Sequence, residues 1–331
     1  MRAVRIHEYG GPEVLRLEAV QAPEVRPHDV LVRVHATSVN PVDWKIRKGV
    51  QRGAVRLRLP WILGMDVSGV VEAVGDKVSS FAVGDEVWSS PTHRRPGTYA
   101  EQVAIDASEV AHKPASLSHQ EAASLPLVGL TAWDCLVRAA NVQPGQKVFI
   151  QAGAGGVGTV AIQLAKKLGA EVATTCSARN LDFVRELGAD IAIDYNETRF
   201  EDVLKDQDVV LESLGGEMYQ RALKVVRRGG HLTSINSGLP AATERYGPNL
   251  GVLAVGLRLL ADKAGSRLRR GVKTHIVVRK PIGANLAALG TMVEEGAIRP
   301  VIAQVFDLEQ IADAHRASES GRTRGKNVVA L

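Results

Sequence analysis

Cysteine is almost absent from the sequence: among 331 residues, only Cys135 and Cys176 are present. Two cysteines cannot form the disulfide scaffold of a small secreted protein. The first residues run directly into a strand pattern and lack the apolar core of a signal peptide. No uncharged stretch approaches the roughly 20 residues that a membrane helix needs. We therefore expect a cytoplasmic protein that does not span a membrane.

Aromatic residues are also scarce, at 4% of the chain, so we expect cores built from valine, isoleucine, leucine and alanine. Hydrophobic residues make up 45% and charged residues 23%, a composition that excludes a disordered or fibrous chain. A length of 331 residues suits two domains better than one core.

The net charge is only +5, but basic residues cluster locally at Arg267, Arg269, Arg270 and Lys273. Such a cluster could attract nucleic acid. The sequence has neither arginine-glycine repeats nor an aromatic ladder on which bases could stack. We therefore favour a solvated helix face or a site for phosphate groups, and we expect no nucleic-acid partner.

The first part of the chain has the pattern of a β-rich domain. Near-alternating β-branched residues at 30–36 and a similar run at 67–74 predict strands, 81–88 predicts a turn followed by a strand, and 98–105 predicts another strand. Glycine and proline recur between these runs. This spacing favours an irregular, partly open barrel.

The pattern changes near Ser118, which begins a capping box completed by Glu121. A helix is predicted over 130–140. From Lys147 onward, strand and helix patterns alternate, which predicts a doubly wound parallel sheet with right-handed crossovers, an α/β fold. Residues 238–273 interrupt the alternation with a helix predicted over 250–260, a candidate cover for an active-site mouth.

A glycine-rich turn follows the first strand of the alternating part. Gly153, Gly155 and Gly158 fit the pattern G-x-G-x-x-G between a hydrophobic strand and an apolar-periodic helix. These glycines permit a tight turn and a close approach of a pyrophosphate, and the helix beginning at Gly156 and Val157 offers free N–H groups. We therefore predict a dinucleotide site rather than a plain turn between strand and helix.

No acid stands at the end of the second strand, where an NAD site places one on the ribose 2′-hydroxyl. Residues 175–180 instead contain Ser177 and Arg179. Ser177 could donate a hydrogen bond to a 2′-phosphate, and Arg179 could pair with it. The sequence therefore favours NADP(H) over NAD(H), although Arg179 could also be a solvated loop cation.

At this point the chain resembles a known family, the zinc-free quinone oxidoreductase branch of the medium-chain dehydrogenase/reductases. The resemblance covers nearly the whole chain. Its most specific segments lie at 38–45, 64–69, 97–101, 152–158, 187–190 and 321–326.

The resemblance implies a chaperonin-10-like catalytic domain at 1–121 and 298–331, and a Rossmann NADP-binding domain at 122–297. It also implies a homodimer. Several further residues would contact the cofactor: Thr131 at the nicotinamide ribose, Tyr195 near the adenosine ribose, Ser213, Leu214 and Ser234 at strand ends, Ile276 and Val277 beside the nicotinamide, and Lys326 closing over it.

The residues at the zinc positions of related alcohol dehydrogenases imply that no metal is bound. Those relatives carry cysteine where Asn40 stands, and a His-Glu pair where Met65 and Asp66 stand. Asparagine and methionine are poor zinc ligands. The nine histidines are scattered without ligand spacing. A site without zinc suits acceptors that take hydride readily, such as quinones or α,β-unsaturated carbonyls.

Asn40, Asp43 and Lys45 are the candidate polar wall of such a site. Lys45 could stabilise an anion, and Asp43 could orient Lys45 or a water molecule. Alternatively, Asp43 and Lys45 form a structural ion pair at a helix start. Trp44, Trp61 and Trp88 could line a quinone pocket, but for Trp88 we favour core packing.

We therefore predict an NADPH-dependent reductase of quinones or enones. Two alternatives stay open. An enoyl-thioester reductase could use the basic residues at 267–273 for coenzyme A phosphates. An NADPH-binding protein with little turnover, like lens crystallins or RNA-binding relatives, is the third possibility. The sequence does not identify the substrate.

Overall fold

The computed structural model describes residues 1–267 and 271–331 and separates into two compact units. Unit 1 comprises Met1–Leu130 and Pro281–Leu331, and unit 2 comprises Thr131–Lys280. The first boundary between the units follows Leu130, later in the chain than the predicted boundary after residue 121. The second boundary precedes Pro281, earlier than the predicted boundary after residue 297.

The chain forms sixteen strands and eleven α-helices within the described residues, numbered here in chain order. The strands are β1 (Arg2–Ile6), β2 (Arg16–Ala19), β3 (Asp29–Val39), β4 (Trp61–Ile62), β5 (Val67–Val74), β6 (Glu86–Ser89), β7 (Gln102–Asp106), β8 (Val110–His112), β9 (Lys147–Ile150), β10 (Glu171–Cys176), β11 (Ile191–Asp194), β12 (Gln207–Glu212), β13 (Val226–Ser234), β14 (Lys273–Ile276), β15 (Ile302–Asp307) and β16 (Lys326–Ala330).

The α-helices are α1 (Pro41–Arg47), α2 (His119–Ala123), α3 (Pro126–Trp133), α4 (Gly156–Lys167), α5 (Leu181–Glu186), α6 (Phe200–Val203), α7 (Gly216–Val225), α8 (Leu239–Tyr246), α9 (Pro248–Gly265), α10 (Gly283–Glu294) and α11 (Ile311–Glu319). None of the helices within the described residues is both long and apolar enough to cross a membrane.

Unit 1 is the β-rich unit. One sheet has the strand order β2-β1-β4, and the other has the order β15-β16-β3-β5-β6-β8, with β7 also paired to β3. The C-terminal strand β16 runs antiparallel to β3, so the chain's tail lies beside residues 36–39. Helix α10 packs against β8, and an added Cβ at Gly283 would lie 2.2 Å from the carbonyl oxygen of Val110. The packing of α10 against β8 explains why this helix belongs to unit 1.

Unit 2 is a parallel six-stranded sheet with the order β11-β10-β9-β12-β13-β14. Numbered from its first strand, this order is 3-2-1-4-5-6, the arrangement of a Rossmann dinucleotide-binding sheet. The strand order reverses between β9 and β12, and ligands of such sheets bind at the carboxyl ends of these strands. The predicted α/β fold is thus confirmed.

Two predicted helices differ from the structure. The helix predicted over 130–140 begins earlier, at Pro126, and changes to π-helical turns over Asp134–Ala139. The buried Asp134 at this change accepts a hydrogen bond from Arg138, four residues along, and one from the backbone N–H of Lys280, which is far away in the chain. The helix predicted over 250–260 is longer at both ends, spanning Pro248–Gly265. The capping box at Ser118 and Glu121 is confirmed.

Candidate functional site

The glycine-rich turn of unit 2 connects β9 to α4 through a tightly packed backbone. An added Cβ at Gly153 would lie 2.2 Å from Oγ1 of Thr174, and one at Gly158 would lie 2.3 Å from the carbonyl oxygen of Ala152. Any side chain at either position would therefore collide with its surroundings. Helix α4 has Gly155 as its N-cap, with no side-chain cap, so the first N–H groups of the helix remain for a ligand.

Two polar atoms at the reversal point of the sheet lack partners. Nε2 of Gln151, after β9, and Oγ of Ser213, after β12, are buried without a hydrogen-bond partner among the described residues. The two residues touch through a 3.4 Å bond from the Ser213 N–H to Oε1 of Gln151. Buried polar groups normally have partners. A ligand placed between these strand ends would supply them, so the site fits the polar parts of a dinucleotide.

The predicted 2′-phosphate residues lie at the ends of β10 and β11. The N–H of Tyr195 donates to the carbonyl oxygen of Cys176 at 3.1 Å, so Tyr195 and Ser177 flank the same corner. Oγ of Ser177 accepts from Asn180 at 3.2 Å, and Arg179 is exposed. The carboxylate of Asp194, which lies opposite Cys176, accepts from the backbone and side chain of Asn196.

The other predicted cofactor residues of unit 2 lie near the ends of β12, β13 and β14. The hydroxyl of Ser234 donates to Oε2 of the buried Glu212 at 2.5 Å, and the N–H of Leu214 donates to Oε1 of the same carboxylate at 2.7 Å. The N–H of Val277 donates to the carbonyl oxygen of Ser234 at 2.8 Å, directly after Ile276. The carboxylate of Glu212 therefore links the end of β13 to the residues that follow β12.

Thr131, another predicted cofactor residue, is buried in α3. Lys326, in contrast, lies in unit 1, at the start of β16. The structure therefore divides the predicted cofactor residues between the two units.

Unit 1 holds a buried polar cluster around Asn40. Nδ2 of Asn40 donates to Oδ2 of Asp66 at 2.7 Å, and Oγ of Ser38 donates to the same oxygen at 2.6 Å. Nζ of Lys326 donates to Oδ1 of Asn40 at 2.5 Å and lies 3.4 Å from Oδ2 of Asp66. The N–H of Leu127 donates to the other oxygen of Asp66 at 2.7 Å.

The cluster contains its own cation. Asp66 and Lys326 are both buried, and burial lowers the pKa of Lys326 while the nearby Asp66 opposes that shift. The ammonium lies against Asn40 and Asp66, two of the positions that the family resemblance compares with zinc ligands. In the described part of the chain, no group of three histidine, cysteine, aspartate or glutamate side chains is placed to hold a metal ion.

Asp43 lies at the start of α1 and is fully buried. Its Oδ2 accepts from the backbone N–H of Asn40 at 2.8 Å, completing a capping box, and from the hydroxyl of Tyr99 at 3.1 Å. Its Oδ1 has no hydrogen-bond partner among the described residues. Burial, the largest cause, raises the pKa of Asp43 to about 7, with a further contribution from Asp66.

A line of buried side chains continues from Tyr99 to the surface. The hydroxyl of Tyr99 lies 3.1 Å from Nε2 of His315, and Nδ1 of His315 lies 3.1 Å from Nη1 of Arg47. Arg47 is wholly buried and donates to Glu319, which also pairs with Lys48 at 2.5 Å. Burial lowers the pKa of His315 to about 3, and the guanidinium of Arg47 adds to the shift.

Lys45 does not pair with Asp43, so the alternative of a structural ion pair between them is wrong. Nζ of Lys45 lies 5.4 Å from the ring centre of Trp44, and burial lowers its pKa. The indole N–H of Trp44 donates to Ser318 at 3.2 Å, and Trp61 lines a small cavity beside Asp43. Trp88 is fully buried, which confirms its assignment to core packing.

Several of these polar side chains were not predicted from the sequence, and four of them show why. Tyr99 and Asp66 were part of quoted motifs, but without a role. Gln151 follows a strand end at the reversal point, a position that could have signalled it. His315 carried no signal, because its partner Arg47 is far away in the chain.

Comparison with known proteins places both units in described families. Residues 26–115 match the family model "Alcohol dehydrogenase GroES-like domain", and residues 187–329 match the model "Zinc-binding dehydrogenase".

Three relatives match over almost the whole chain. The chain is 36% identical to "NAD(P)H oxidoreductase RTN4IP1, mitochondrial" of Danio rerio, covering 100% of this chain and 91% of that protein. It is 33% identical to "NADPH-dependent alkenal/one oxidoreductase, chloroplastic" of Arabidopsis thaliana, covering 99% and 79%. It is 32% identical to "Quinone oxidoreductase" of Homo sapiens, covering 100% and 98%.

Two solved structures have the same fold along their full length. The quinone oxidoreductase from Coxiella burnetii is 33% identical with a TM-score of 0.85, and the match covers 100% of this chain and 99% of that one. The Escherichia coli quinone oxidoreductase complexed with NADPH is 26% identical with a TM-score of 0.83, and the match covers 100% of both chains.

Proposed function

Because the chain belongs to the quinone oxidoreductase branch of the medium-chain dehydrogenase/reductase superfamily, we propose that it reduces a quinone or an α,β-unsaturated carbonyl with NADPH, without zinc. At the coarser level it is an NADP(H)-dependent oxidoreductase. The observation that carries the finer proposal is the buried ammonium of Lys326 beside Asn40 and Asp66.

The cofactor is NADP(H), in keeping with the names of the relatives and with the NADPH bound to the Escherichia coli enzyme. The residues of unit 2 fit it. The turn at 153–158 would hold the pyrophosphate, Ser177 and Arg179 would hold a 2′-phosphate, and Tyr195 would lie near the adenosine ribose. When bound, the cofactor supplies a hydride from its nicotinamide ring.

The nicotinamide half would lie near the strand ends after β12, β13 and β14. The residues proposed to face it are Thr131, Ser213, Leu214, Ser234, Ile276 and Val277. Ser213 and Gln151 have unpartnered buried atoms that a ligand could satisfy. Ser234 would act mainly by holding Glu212, since its hydroxyl already donates there.

The absence of zinc is proposed from the occupants of the Asn40 cluster. Asp66 receives donors from Ser38, Asn40 and the Leu127 backbone, and it also faces the ammonium of Lys326. A zinc ion could bind Asp66 only by displacing these donors and the cation. A positive charge already balances the buried carboxylate.

Asn40, Asp43 and Lys45 are the proposed polar wall. One Nδ2 hydrogen of Asn40 goes to Asp66, and its Oδ1 is held by Lys326, so the second Nδ2 hydrogen remains for the oxygen of an acceptor. Donors fixed in this way can stabilise the negative charge that develops as hydride arrives. Lys45, whose pKa is lowered by burial, could also donate a hydrogen bond to the acceptor's oxygen.

An enoyl-thioester reductase is the second candidate. Arg267 and Lys273 are exposed, and their charges suit the phosphates of coenzyme A. Arg269 and Arg270, the other members of the predicted basic cluster, lie outside the described residues. The cytoplasmic location and the homodimer stay predictions, and relatives carry the words mitochondrial and chloroplastic in their names.

The test compares NADPH consumption with 9,10-phenanthrenequinone, cyclohex-2-enone and crotonyl-CoA as acceptors. We expect turnover with the quinone and the enone to exceed that with crotonyl-CoA. A preference for crotonyl-CoA would support the thioester reductase instead. Tight NADPH binding without turnover of any acceptor would support a binding protein and contradict the proposal.

A further inference from the structure

The two oxygens of the Asp43 carboxyl group have different surroundings. Oδ2 accepts two hydrogen bonds, one from the N–H of Asn40 and one from the hydroxyl of Tyr99. Oδ1 is buried and accepts none from the part of the chain that the structure describes. A buried charged oxygen without a donor is strongly destabilised, so the carboxyl group needs a proton or a ligand at Oδ1.

The direction of the hydrogen bonds follows from Arg47. A guanidinium has donors only, so Nδ1 of His315 must accept from Nη1 of Arg47. A neutral imidazole that accepts at Nδ1 carries its hydrogen on Nε2. Nε2 of His315 therefore donates to the hydroxyl oxygen of Tyr99. The Tyr99 hydrogen is then left to donate to Oδ2 of Asp43.

This order determines which oxygen of Asp43 can carry a proton. Both lone pairs of Oδ2 are used by Asn40 and Tyr99, so a proton on the carboxyl group belongs on Oδ1. If His315 were in the other tautomer, Nδ1–H would face the donor of Arg47. The buried Arg47 thus fixes which atom donates in each hydrogen bond between Arg47 and Asp43. Arg47 is itself held by its hydrogen bond to Glu319.

The surroundings of Asp43 allow its carboxyl group to hold a proton near neutral pH. Burial and the carboxylate of Asp66 raise its pKa to about 7, while Lys326, the Asn40 N–H and the Tyr99 hydroxyl oppose the rise. His315, the titratable group behind Tyr99, stays neutral because its own pKa is lowered to about 3. An acid in this range can both give up and regain a proton at physiological pH.

A small cavity lies beside Asp43 in unit 1. Its volume is about 10 Å³, room for about one water molecule. Its walls include the apolar side chains of Leu57, Trp61 and Met65, and also the titratable His93 and the cation Arg95. Because Asp43 itself lines this cavity, a water molecule or part of a substrate could reach its carboxyl group there.

We propose that Oδ1 of Asp43 donates the proton that completes reduction of an α,β-unsaturated carbonyl, directly or through one water molecule, and that Tyr99, His315 and Arg47 are positioning residues. This inference rests on the proposed reductase function. Asp43 would be a catalytic residue, whereas the other three act only through it.

Hydride addition to the β-carbon places two electrons on the acceptor and leaves an enolate. The enolate α-carbon then forms a bond to the proton of Asp43, and the electron pair of the O–H bond stays on the carboxylate. The carboxylate regains a proton from solvent water before the next turnover.

Quinones provide an internal comparison. Their reduction places the new proton on oxygen, which exchanges rapidly with water, whereas an enolate must be protonated on carbon. A lost general acid typically costs about 10²–10⁴-fold in rate. We therefore expect loss of Asp43 to lower enone reduction by a larger factor than quinone reduction.

The first test uses Asp43→Asn with 2-methylcyclopent-2-enone, whose reduced product has a stereocentre at the α-carbon. The amide can keep the acceptor at Oδ2 and resembles the protonated acid, but it cannot release a proton. We expect the wild type to form one enantiomer at early times. Asp43→Asn should lower the rate of enone reduction by about 10²–10⁴-fold and form a racemic product, and it should lower quinone reduction by a smaller factor.

The control is Asp313→Asn, an exposed aspartate on α11 that should retain both rate and stereochemistry. A single enantiomer from Asp43→Asn at near wild-type rate, or a racemic product from the wild type, would overturn the inference. Wild-type turnover of neither acceptor would instead refute the proposed function, so the two failures can be told apart.

The second test examines the positioning residues through pH profiles of enone reduction. For the wild type, the rate should fall as pH rises through about 7, because the acid must be protonated. Tyr99→Phe removes a hydrogen bond that lowers the pKa of Asp43, so the fall should move to higher pH. A Tyr99→Phe profile that coincides with the wild type would contradict the positioning role.

Discussion

The guanidinium of Arg47 donates to Nδ1 of His315 across 3.1 Å, and both side chains are fully buried. Arg47 lies on α1, near the start of the chain, and His315 lies on α11, near its end. This bond fixes a neutral histidine with its hydrogen on Nε2. It therefore links the packing of the two helices to the direction of the hydrogen bonds that end at Asp43.

The buried His315 should make the protein sensitive to acid. Its pKa falls from 6.5 to about 3 on folding, so below pH 6.5 the unfolded chain takes up a proton that the folded chain does not. Stability from this group is present above pH 6.5 and is lost as pH falls toward about 3, by up to about 1.4 kcal/mol per pH unit.

Urea unfolding at several pH values checks this prediction. His315→Gln, whose amide can both accept and donate, should show a shallower loss of unfolding free energy between pH 6 and pH 4. His28→Gln, at an exposed position, is the control and should keep the wild-type slope. Equal slopes for wild type and His315→Gln would contradict the assignment.

Lys326 should be essential for stability because it balances buried Asp66. Lys326→Met keeps the volume but leaves the carboxylate without its cation, and breaking such a pair typically costs about 3–5 kcal/mol. The free energy of unfolding should fall by this amount in urea titrations. Lys77→Met, at an exposed site, should change it by less than about 0.5 kcal/mol. A similarly small loss for Lys326→Met would show that Asp66 does not need the ammonium.

Arg179 should provide the preference for NADPH. Arg179→Ala should weaken NADPH binding by about 1–3 kcal/mol, the scale of a hydrogen bond to a charged group, and leave NADH binding nearly unchanged. Fluorescence titration with each cofactor measures both. Arg185→Ala, an exposed arginine paired with Asp182, controls for general charge. Equal weakening for NADPH and NADH would refute the assignment.

The backbone around Gly158 should exclude any side chain. Gly158→Ala places a Cβ 2.3 Å from the carbonyl oxygen of Ala152, and overpacking of this kind typically costs about 1–3 kcal/mol. We expect reduced unfolding free energy and weaker NADPH binding. Gly256→Ala is the matched control, since nothing lies within 4 Å of its Cβ. That helical alanine should instead stabilise by roughly 0.5–1 kcal/mol.

Metal content tests the zinc-free proposal independently of the substrate. The purified protein should contain zinc well below one equivalent, and prolonged treatment with a chelator should leave quinone reduction unchanged. Stoichiometric zinc together with loss of activity after its removal would contradict the role given to Lys326.

Much of unit 2 could be predicted because its signals are local. The glycines at 153–158 and the alternation of strands and helices lie within short windows, and the parallel sheet follows from them. The helix predicted over 130–140 begins earlier, at Pro126, and its last turns are π-helical over Asp134–Ala139. The buried Asp134 in these turns binds the backbone of the distant Lys280, a contact that no local pattern indicates.

The polar cluster of unit 1 could not be assembled from sequence. Asn40 and Lys326 are separated by 286 positions, and Arg47 and His315 by 268. No periodicity connects residues so far apart. Asn40 and Lys326 were individually named through the family resemblance, but their contact, and the roles of Tyr99 and His315, required the three-dimensional structure.

The most direct measurement of the central claim follows the hydride itself. The protein is incubated with an enone and NADPH that carries deuterium at both C4 positions, and the product is analysed by mass spectrometry and NMR. A reductase of the proposed kind places one deuterium on the β-carbon of the saturated ketone. Bound NADPH with no deuterium in any product, for the enone and the quinone alike, would contradict the claim.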